Sequence, residues 1–185
     1  MHSLDVLHGL RHSAAHMLAA AVLQLYPGTK LGTGPVVENG FYYDLLPNQP
    51  ITEADLEKIE VVMREIIAGQ HPFVREAVTA DQAKQFFHDQ PFKCELIDKF
   101  SVDGRDLTLY HSGPFTDLCE GGHAQNTSEL SNVGFKLTKL AGAYWQANDQ
   151  NPQMTRIYGV LFPSPKELRA YFVQLEEAEK RDHRK

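Results

Sequence analysis

The sequence predicts an α+β fold, in which a mainly antiparallel sheet packs with a long histidine-bearing N-terminal helix and is followed by a C-terminal linker helix. Three observations indicate this class. Apolar residues recur at helical spacing over residues 10–25, short β-prone runs separated by turns fill much of the second half, and a second helical pattern opens at Ser164. Because helices precede a series of short strands instead of alternating with them, we expect antiparallel pairing.

The first half of the chain predicts two helices separated by a glycine-rich strand region. The first helix ends at Tyr26-Pro27-Gly28, since proline cannot continue a helix and glycine suits its C-terminal cap. Residues 30–45 are strand-like, and their many glycines favour a bend or a close approach of backbone to a ligand. A second helix, capped by Thr52, runs up to Gly69 with one apolar stripe, which is typical of packing.

The second half predicts mostly strands. A helix opens at the capping box of residues 79–82 and runs to about residue 88. Strands are expected at 73–78, 94–97, 107–111, 115–118, 134–140 and 154–162. The last helix begins at Ser164-Pro165-Lys166-Glu167 and becomes wholly charged from Glu176 onwards. We therefore expect a domain over residues 1–163 and a helix over 164–185 that leads towards something beyond it.

Composition restricts the class of protein. The 185 residues are 42% hydrophobic, with no apolar stretch as long as a membrane span and no N-terminal signal-peptide pattern, so we expect a cytoplasmic protein without membrane contact. Only two cysteines are present, which disfavours a disulfide framework. The net charge of −6 argues against gripping nucleic acid by charge alone, although the end of a nucleic acid could still be bound.

Two His/Cys pairs are the main candidates for chemistry. His12 and His16 lie four residues apart and therefore on one face of the first helix. Cys119 and His123 have the same spacing in a glycine-rich segment that favours a turn. If the fold brings the pairs together, the four groups could hold a zinc ion or, without metal, a water between imidazole bases. Spacing does not separate these two possibilities.

Further candidates surround these pairs. Asp117 alternates with Cys119 along a strand and so shares its face, where it could orient an imidazole or bind an ammonium group. Lys93 could bind a phosphate or ribose, and Tyr43 could line a pocket. A later stretch mixes basic and aromatic residues as binding of a single-stranded nucleic-acid end requires: Lys136, Lys139, Tyr144, Trp145 and Arg156.

Several motifs together carry a family resemblance. They are His12-Ser-Ala-Ala-His16, Gly34-Pro-Val-Val-Glu-Asn-Gly-Phe-Tyr-Tyr-Asp44, Asp117-Leu-Cys-Glu-Gly-Gly-His123, Phe135-Lys-Leu-Thr-Lys-Leu-Ala-Gly-Ala-Tyr-Trp145 and Arg156-Ile-Tyr-Gly159, with the charged tail 176–185. Nearly the whole chain resembles, in order, the editing domain of bacterial-type threonyl-tRNA synthetase. The His/Cys pairs are shared with the related alanyl-tRNA synthetase editing domains.

The resemblance implies a hydrolase that removes serine wrongly attached to threonine-specific tRNA. Such proofreading is needed because a pocket discriminates one methyl group by only about 1–3 kcal/mol. The implied catalytic residues are His12, His16, Lys93, Cys119 and His123, and the substrate-binding candidates are Tyr43, Asp117, Lys136, Tyr144 and Trp145. The resemblance implies a water held by His12 or His16 as the nucleophile, Asp117 as the contact of the substrate amino group, and no cofactor for editing.

The implied partners are the tRNA 3′ end carrying serine and the other domains of a synthetase. The chain resembles no aminoacylation core, so we expect no tRNA charging by it, and the helix 164–185 is expected to lead to the absent catalytic core. It departs from the usual family pattern at Gly121-Gly122 and at Gln146-Ala147-Asn148-Asp149. Two alternatives remain: a zinc-dependent alanyl-type deacylase of seryl-tRNA, with zinc on His12, His16, Cys119 and His123, and a non-catalytic module that binds the tRNA end.

Overall fold

The computed structural model describes residues 4–184, so the first three residues and the last residue of the two expected domains lie outside the described part. Five helices are described: α1 (Leu4–Leu25), α2 (Leu56–Ala68), α3 (Ala80–Phe86), α4 (Pro91–Val102) and α5 (Pro165–Asp182). The eight strands are β1 (Lys30–Leu31), β2 (Val36–Val37), β3 (Gly40–Leu46), β4 (Val74–Val78), β5 (Leu107–Ser112), β6 (Phe115–Leu118), β7 (Gly134–Tyr144) and β8 (Gln153–Phe162). The predicted α+β class is confirmed.

The strands form two antiparallel sheets. The larger has the order β1-β3-β8-β7, with β2 pairing to the other end of β3, and the smaller has the order β4-β5-β6. In the larger sheet Tyr43 of β3 is opposite Ile157 of β8, and Asp44 is opposite Arg156. In the smaller sheet Asp117 of β6 is opposite Tyr110 of β5. The two neighbouring residues Tyr43 and Asp44 therefore point to opposite faces of β3.

Helix α1 fills the centre of the main core. Its alanine-rich middle lets it lie close to α2 and β3, and Met17, Leu18 and Val22 are fully buried. Ile59 and Met63 of α2 complete the same core from the other side. Because the helix is held on several sides, the face that carries His12 and His16 has a fixed position relative to both sheets.

Helix α4 corrects the sequence prediction, which was wrong in placing a strand at residues 94–97. Pro91 occupies the first helical turn, where its missing N–H costs nothing and its φ suits a helix. Phe92, Leu96 and Ile97 then lie on one buried face, so Leu96 and Ile97 belong to a helical period and not to a strand. Lys93 consequently sits on the first turn of a helix and not before a strand.

The C-terminal helix α5 begins as expected. Ser164 accepts a hydrogen bond from the backbone N–H of Glu167, and Pro165 occupies the first turn. None of its residues is buried, and Leu175, expected to face inward, is 43% exposed. Among the helices of residues 4–184, none combines the length and the apolar character that a membrane crossing requires.

Candidate active site

The fold brings the two His/Cys pairs together. His12 and His16 project from α1 towards the loop after β6, which carries Cys119 and His123. The Sγ atom of Cys119 lies 3.3 Å from His12 Nε2 and 3.3 Å from His123 Nε2, and the two Nε2 atoms of His12 and His16 are 3.2 Å apart. All four groups can place a ligand atom within 4.8 Å of one another.

The loop after β6 takes its shape from two glycines and its position from α1. Gly121 and Gly122 both have positive φ values, of 109° and 84°, which other residues adopt with strain. The backbone N–H of Gly121 donates to Cys119 Sγ at 3.3 Å. Ser13 of α1 accepts the backbone N–H of Ala124 at 2.9 Å, so the loop is tied directly to the histidine-bearing helix.

Asp117 connects the groups around the cluster. This 2% exposed carboxylate accepts from Tyr43 Oη at 2.7 Å and from its neighbour's backbone N–H at 2.8 Å, and it pairs with Lys93 Nζ at 2.5 Å and His16 Nδ1 at 3.0 Å. A carboxylate offers about four lone-pair positions. Since four donors already occupy them, Asp117 is placed to orient His16 and Lys93 instead of a substrate ammonium group.

Charge compensation keeps Asp117 ionised despite its burial. Burial alone would raise its pKa, but Lys93 and His16 hold the pKa well below its usual range. Lys93, also 2% exposed, donates a further hydrogen bond to Tyr43 Oη at 3.0 Å. The contact with Asp117 also sets the tautomer of a neutral His16: the proton is on Nδ1, and Nε2 is left as an acceptor.

The remaining cluster members are neutral at pH 7. Burial and, to a smaller extent, the neighbouring His16 lower the pKa of His12 to about 4. Burial and the two other imidazoles lower the pKa of His123 to about 2. Burial raises the pKa of Cys119 to about 12, so its sulfur is a thiol and a weak nucleophile.

A cleft of about 360 Å³ opens over one side of this cluster. Of the predicted site residues, five line it: His12, His16, Lys93, Asp117 and Cys119. Tyr43 is buried behind Asp117, so it supports the carboxylate. His123 faces a different, neighbouring cleft with Gly9 and Gln125, and its ring stacks on Phe73 at a centroid distance of 5.2 Å.

Three predicted substrate-binding residues lie apart from the cluster. Tyr144 and Trp145 line a second, larger cleft beside the first, and Trp145 is buried, with its indole N–H donating to Glu95 at 2.6 Å. Lys136 lines neither cleft and lies 3.8 Å from the Glu60 carboxylate. The binding role predicted for Lys136 therefore has no supporting contact in the described part of the chain.

Some residues of the smaller cleft were not singled out from sequence. Leu96 and Phe100 of α4 form part of its wall, and the mistaken strand at 94–97 hid the helical face to which they belong. Thr33, Gly34 and Pro35 form another part. For these three a signal existed, because the glycines of this stretch already indicated close approach of backbone to a ligand.

Three of the separations within the cluster suit ligands of one zinc ion, while the four ligand atoms as a set lie within 4.8 Å of one another. With ordinary Zn–N and Zn–S bond lengths, tetrahedral ligand atoms lie roughly 3.3–3.6 Å apart, close to the separations of 3.2 and 3.3 Å found here. Metal-bound histidines usually donate their other N–H to an outer partner. His16 does so to Asp117, whereas the buried Nδ1 atom of His123 has no hydrogen-bond partner among the described residues.

Gly34 is expected to be irreplaceable at the cleft wall. A Cβ atom added there would lie 2.3 Å from the ring of the buried Tyr43, so a G34A variant must displace the ring from Asp117. We expect a loss of about 1–3 kcal/mol in the free energy of unfolding, measured by urea denaturation. As a control, a Cβ at Gly142 would meet the flexible end of Gln153, and G142A should cost less; equal losses would contradict the role of the Tyr43 ring.

Comparison with known proteins agrees with this geometry. Residues 107–158, which include Asp117 and Cys119, match the family described as the threonyl and alanyl tRNA synthetase second additional domain. The chain is 50% identical over 181 residues to a threonine-tRNA ligase of Treponema pallidum, and 48% identical over 181 residues to that of Borrelia recurrentis. It is 49% identical over 178 residues to that of Brucella canis.

These matches cover 95% to 98% of this chain but only 27% to 31% of each relative. By its fold, its cluster and the family match, the chain is a second additional domain of the aminoacyl-tRNA synthetase class. Within that class it belongs to the threonyl-tRNA synthetase family, as the resemblance of its motifs predicted.

Proposed function

We propose that this chain hydrolyses the ester bond of seryl-tRNA of threonine specificity. The observation that carries the proposal is the open cleft over His12, His16 and Cys119, with the Asp117-Lys93 pair in its wall. An ester carbonyl placed in this cleft would meet imidazole nitrogens, an ammonium group and a thiol together. Membership of the threonyl-tRNA synthetase family supplies the class of substrate, an aminoacylated tRNA end.

The attacking group in this proposal is a water bound at the His12-His16 pair. Because the Nδ1–H group of His16 donates a hydrogen bond to Asp117, it is the Nε2 atom of His16 that faces His12 Nε2, at 3.2 Å. Two imidazoles so placed can take up one proton between them, as a general base must when water attacks. Asp117 stabilises the imidazolium that forms on His16, which is the role of the carboxylate in catalytic triads.

Lys93 is proposed to stabilise the negative charge that develops on the carbonyl oxygen. It lines the cleft, and its contacts with Asp117 and Tyr43 hold the ammonium group in place before the reaction, which is how electrostatic stabilisation is most effective. The proton then passes from the histidine pair to the departing ribose oxygen. Cys119, a thiol at neutral pH, would shape the pocket for the side chain of serine and is not a covalent nucleophile.

The proposed preference for serine over threonine follows from the proofreading role proposed for this domain. Threonine differs from serine by one methyl group, which a synthetic site separates by only about 10–200-fold. A second site that admits serine and excludes the larger threonine would remove most of the remaining errors. In this proposal the Cys119 side of the cleft is the wall that the threonine methyl would meet.

A second candidate is a zinc-dependent deacylase of the alanyl type. It is favoured by three separations within the cluster, of 3.2, 3.3 and 3.3 Å, which suit ligands of one zinc ion. His12, His16, Cys119 and His123 would hold the metal, which when bound would supply a Lewis acid and lower the pKa of a bound water. The buried His123 Nδ1 without a partner is the feature that fits this alternative least well.

The proposal is tested by the release of serine from seryl-tRNA of threonine specificity, with threonyl-tRNA as the comparison and a strong chelator in parallel. We expect serine release, sparing of threonine, and no effect of the chelator. Loss of activity with the chelator, restored by added zinc and accompanied by bound zinc in the purified chain, would favour the metal-dependent candidate. Equal release of both amino acids would contradict the proofreading role.

A further inference from the structure

A second cleft adjoins the candidate active site. It has a volume of about 620 Å³, against 360 Å³ for the cleft over the His/Cys cluster, and Thr33 and Leu96 form part of the wall of both. The two clefts therefore lie side by side and share part of one wall. The mechanism proposed above uses only the smaller cleft and leaves the larger one without a role.

The larger cleft is lined by several planar side chains, of which Trp145 and Arg156 are held by hydrogen bonds. Tyr144 is 46% exposed at the end of β7, and Trp145 beside it is buried. On the other side the Arg156 guanidinium lies 3.9 Å from the centre of the Tyr42 ring and donates two hydrogen bonds to Asp44, at 2.8 and 3.0 Å. Planar groups with little freedom are the surfaces on which nucleic-acid bases stack.

The turn after Tyr144 closes one end of this cleft in an unusual conformation. Gln146 and Ala147 both line the cleft and both have left-handed φ values, of 53° and 54°. Such values are uncommon for residues other than glycine and persist where surrounding contacts enforce them. The hydrogen bond from Trp145 to Glu95 and that from Asn151 to the Trp145 carbonyl supply such contacts.

We propose that the larger cleft binds the base of the nucleotide that precedes the terminal adenosine of the tRNA, stacked on the exposed ring of Tyr144. The proposal rests on the hydrolysis proposed above: with the seryl ester and its adenosine in the smaller cleft, the nucleotide before them would lie in the adjoining one. Stacking suits this chain because it needs no neutralised phosphates, and the net charge of −6 offers little for phosphate binding.

Two minimal substrates test the inference: the seryl ester of adenosine, and the seryl ester of the dinucleotide cytidylyl-adenosine. We expect kcat/KM for the dinucleotide to exceed that for the mononucleotide by about 5-fold or more, the range for one stacked base. A dinucleotide with an abasic sugar in place of cytidine should lose this gain. A gain that survives removal of the base would overturn the inference, because the phosphate would then account for it.

The variant Y144A should bring the dinucleotide-to-mononucleotide ratio close to one, whereas Y144F, which keeps the ring face, should retain the ratio. F86A removes a similarly exposed aromatic ring, 48% exposed on α3, outside both clefts, and serves as the matched control. A ratio near one in the unmodified protein, or an unchanged ratio in Y144A, would overturn the inference. Absence of hydrolysis for both substrates would instead count against the proposed function itself.

Discussion

Replacing Asp117 by asparagine should both destabilise the protein and abolish hydrolysis. D117N would leave the 2% exposed Lys93 ammonium without its charged partner, and removing one member of a buried ion pair costs about 3–5 kcal/mol. In a chain of this length we expect the melting temperature to fall by more than about 6 °C, measured by calorimetry. His16 would lose the carboxylate that orients it, so kcat for serine release should fall by about 100-fold or more.

An exposed ion pair provides the matched control for this loss. Asp98 pairs with Lys84 where both side chains are well exposed, so D98N should leave the melting temperature nearly unchanged and hydrolysis unaffected. The double variant K93M/D117N removes both buried charges and should be less destabilised than the sum of its two single variants. Additive losses, or a D117N variant as stable as D98N, would contradict the position given to Asp117 at the centre of the site.

Local spacing in the sequence predicts some of the neighbouring pairs in the site, but it does not predict the contacts between residues far apart in the chain. His12 and His16 could be predicted because four-residue spacing on a helix is enough to place two side chains together. The contact between Tyr43 and Asp117 joins residues 74 positions apart, and no local pattern encodes it. The resemblance implied that Asp117 contacts the substrate amino group, whereas in the structure its lone pairs are occupied within the protein.

Helix α4 shows that a short local pattern can also fail to fix the type of a secondary-structure element. A run of four residues that includes Cys94 and Ile97 satisfies a strand pattern as well as part of a helical one, and only the wider spacing of Phe92, Leu96 and Ile97 separates the two. The error moved Lys93 from a helix to a loop and removed Leu96 from the cleft wall. One ambiguous segment therefore gave Lys93 the wrong structural setting and hid part of the cleft wall.

Replacing His16 by alanine should separate catalysis from binding. We expect H16A to lower kcat for serine release by about 10²–10⁴-fold, because the histidine pair loses the nitrogen that Asp117 orients. The fold should persist, since Asp117 keeps Lys93, Tyr43 and a backbone N–H as donors. Single-turnover hydrolysis of seryl-tRNA measures the first effect, and affinity for a non-hydrolysable amide of serine and adenosine measures binding.

The control for H16A is H88A, which removes an exposed histidine whose Nδ1 contacts only the backbone of its own turn in the described residues. H88A should match the unmodified protein in both measurements. If H16A retained full turnover, the base would lie elsewhere and the Asp117-His16 contact would be only structural. A third outcome is that the unmodified protein and H16A both fail to turn over substrate while binding the amide equally. The chain would then be a binding module for the tRNA end, and the histidines would serve packing alone.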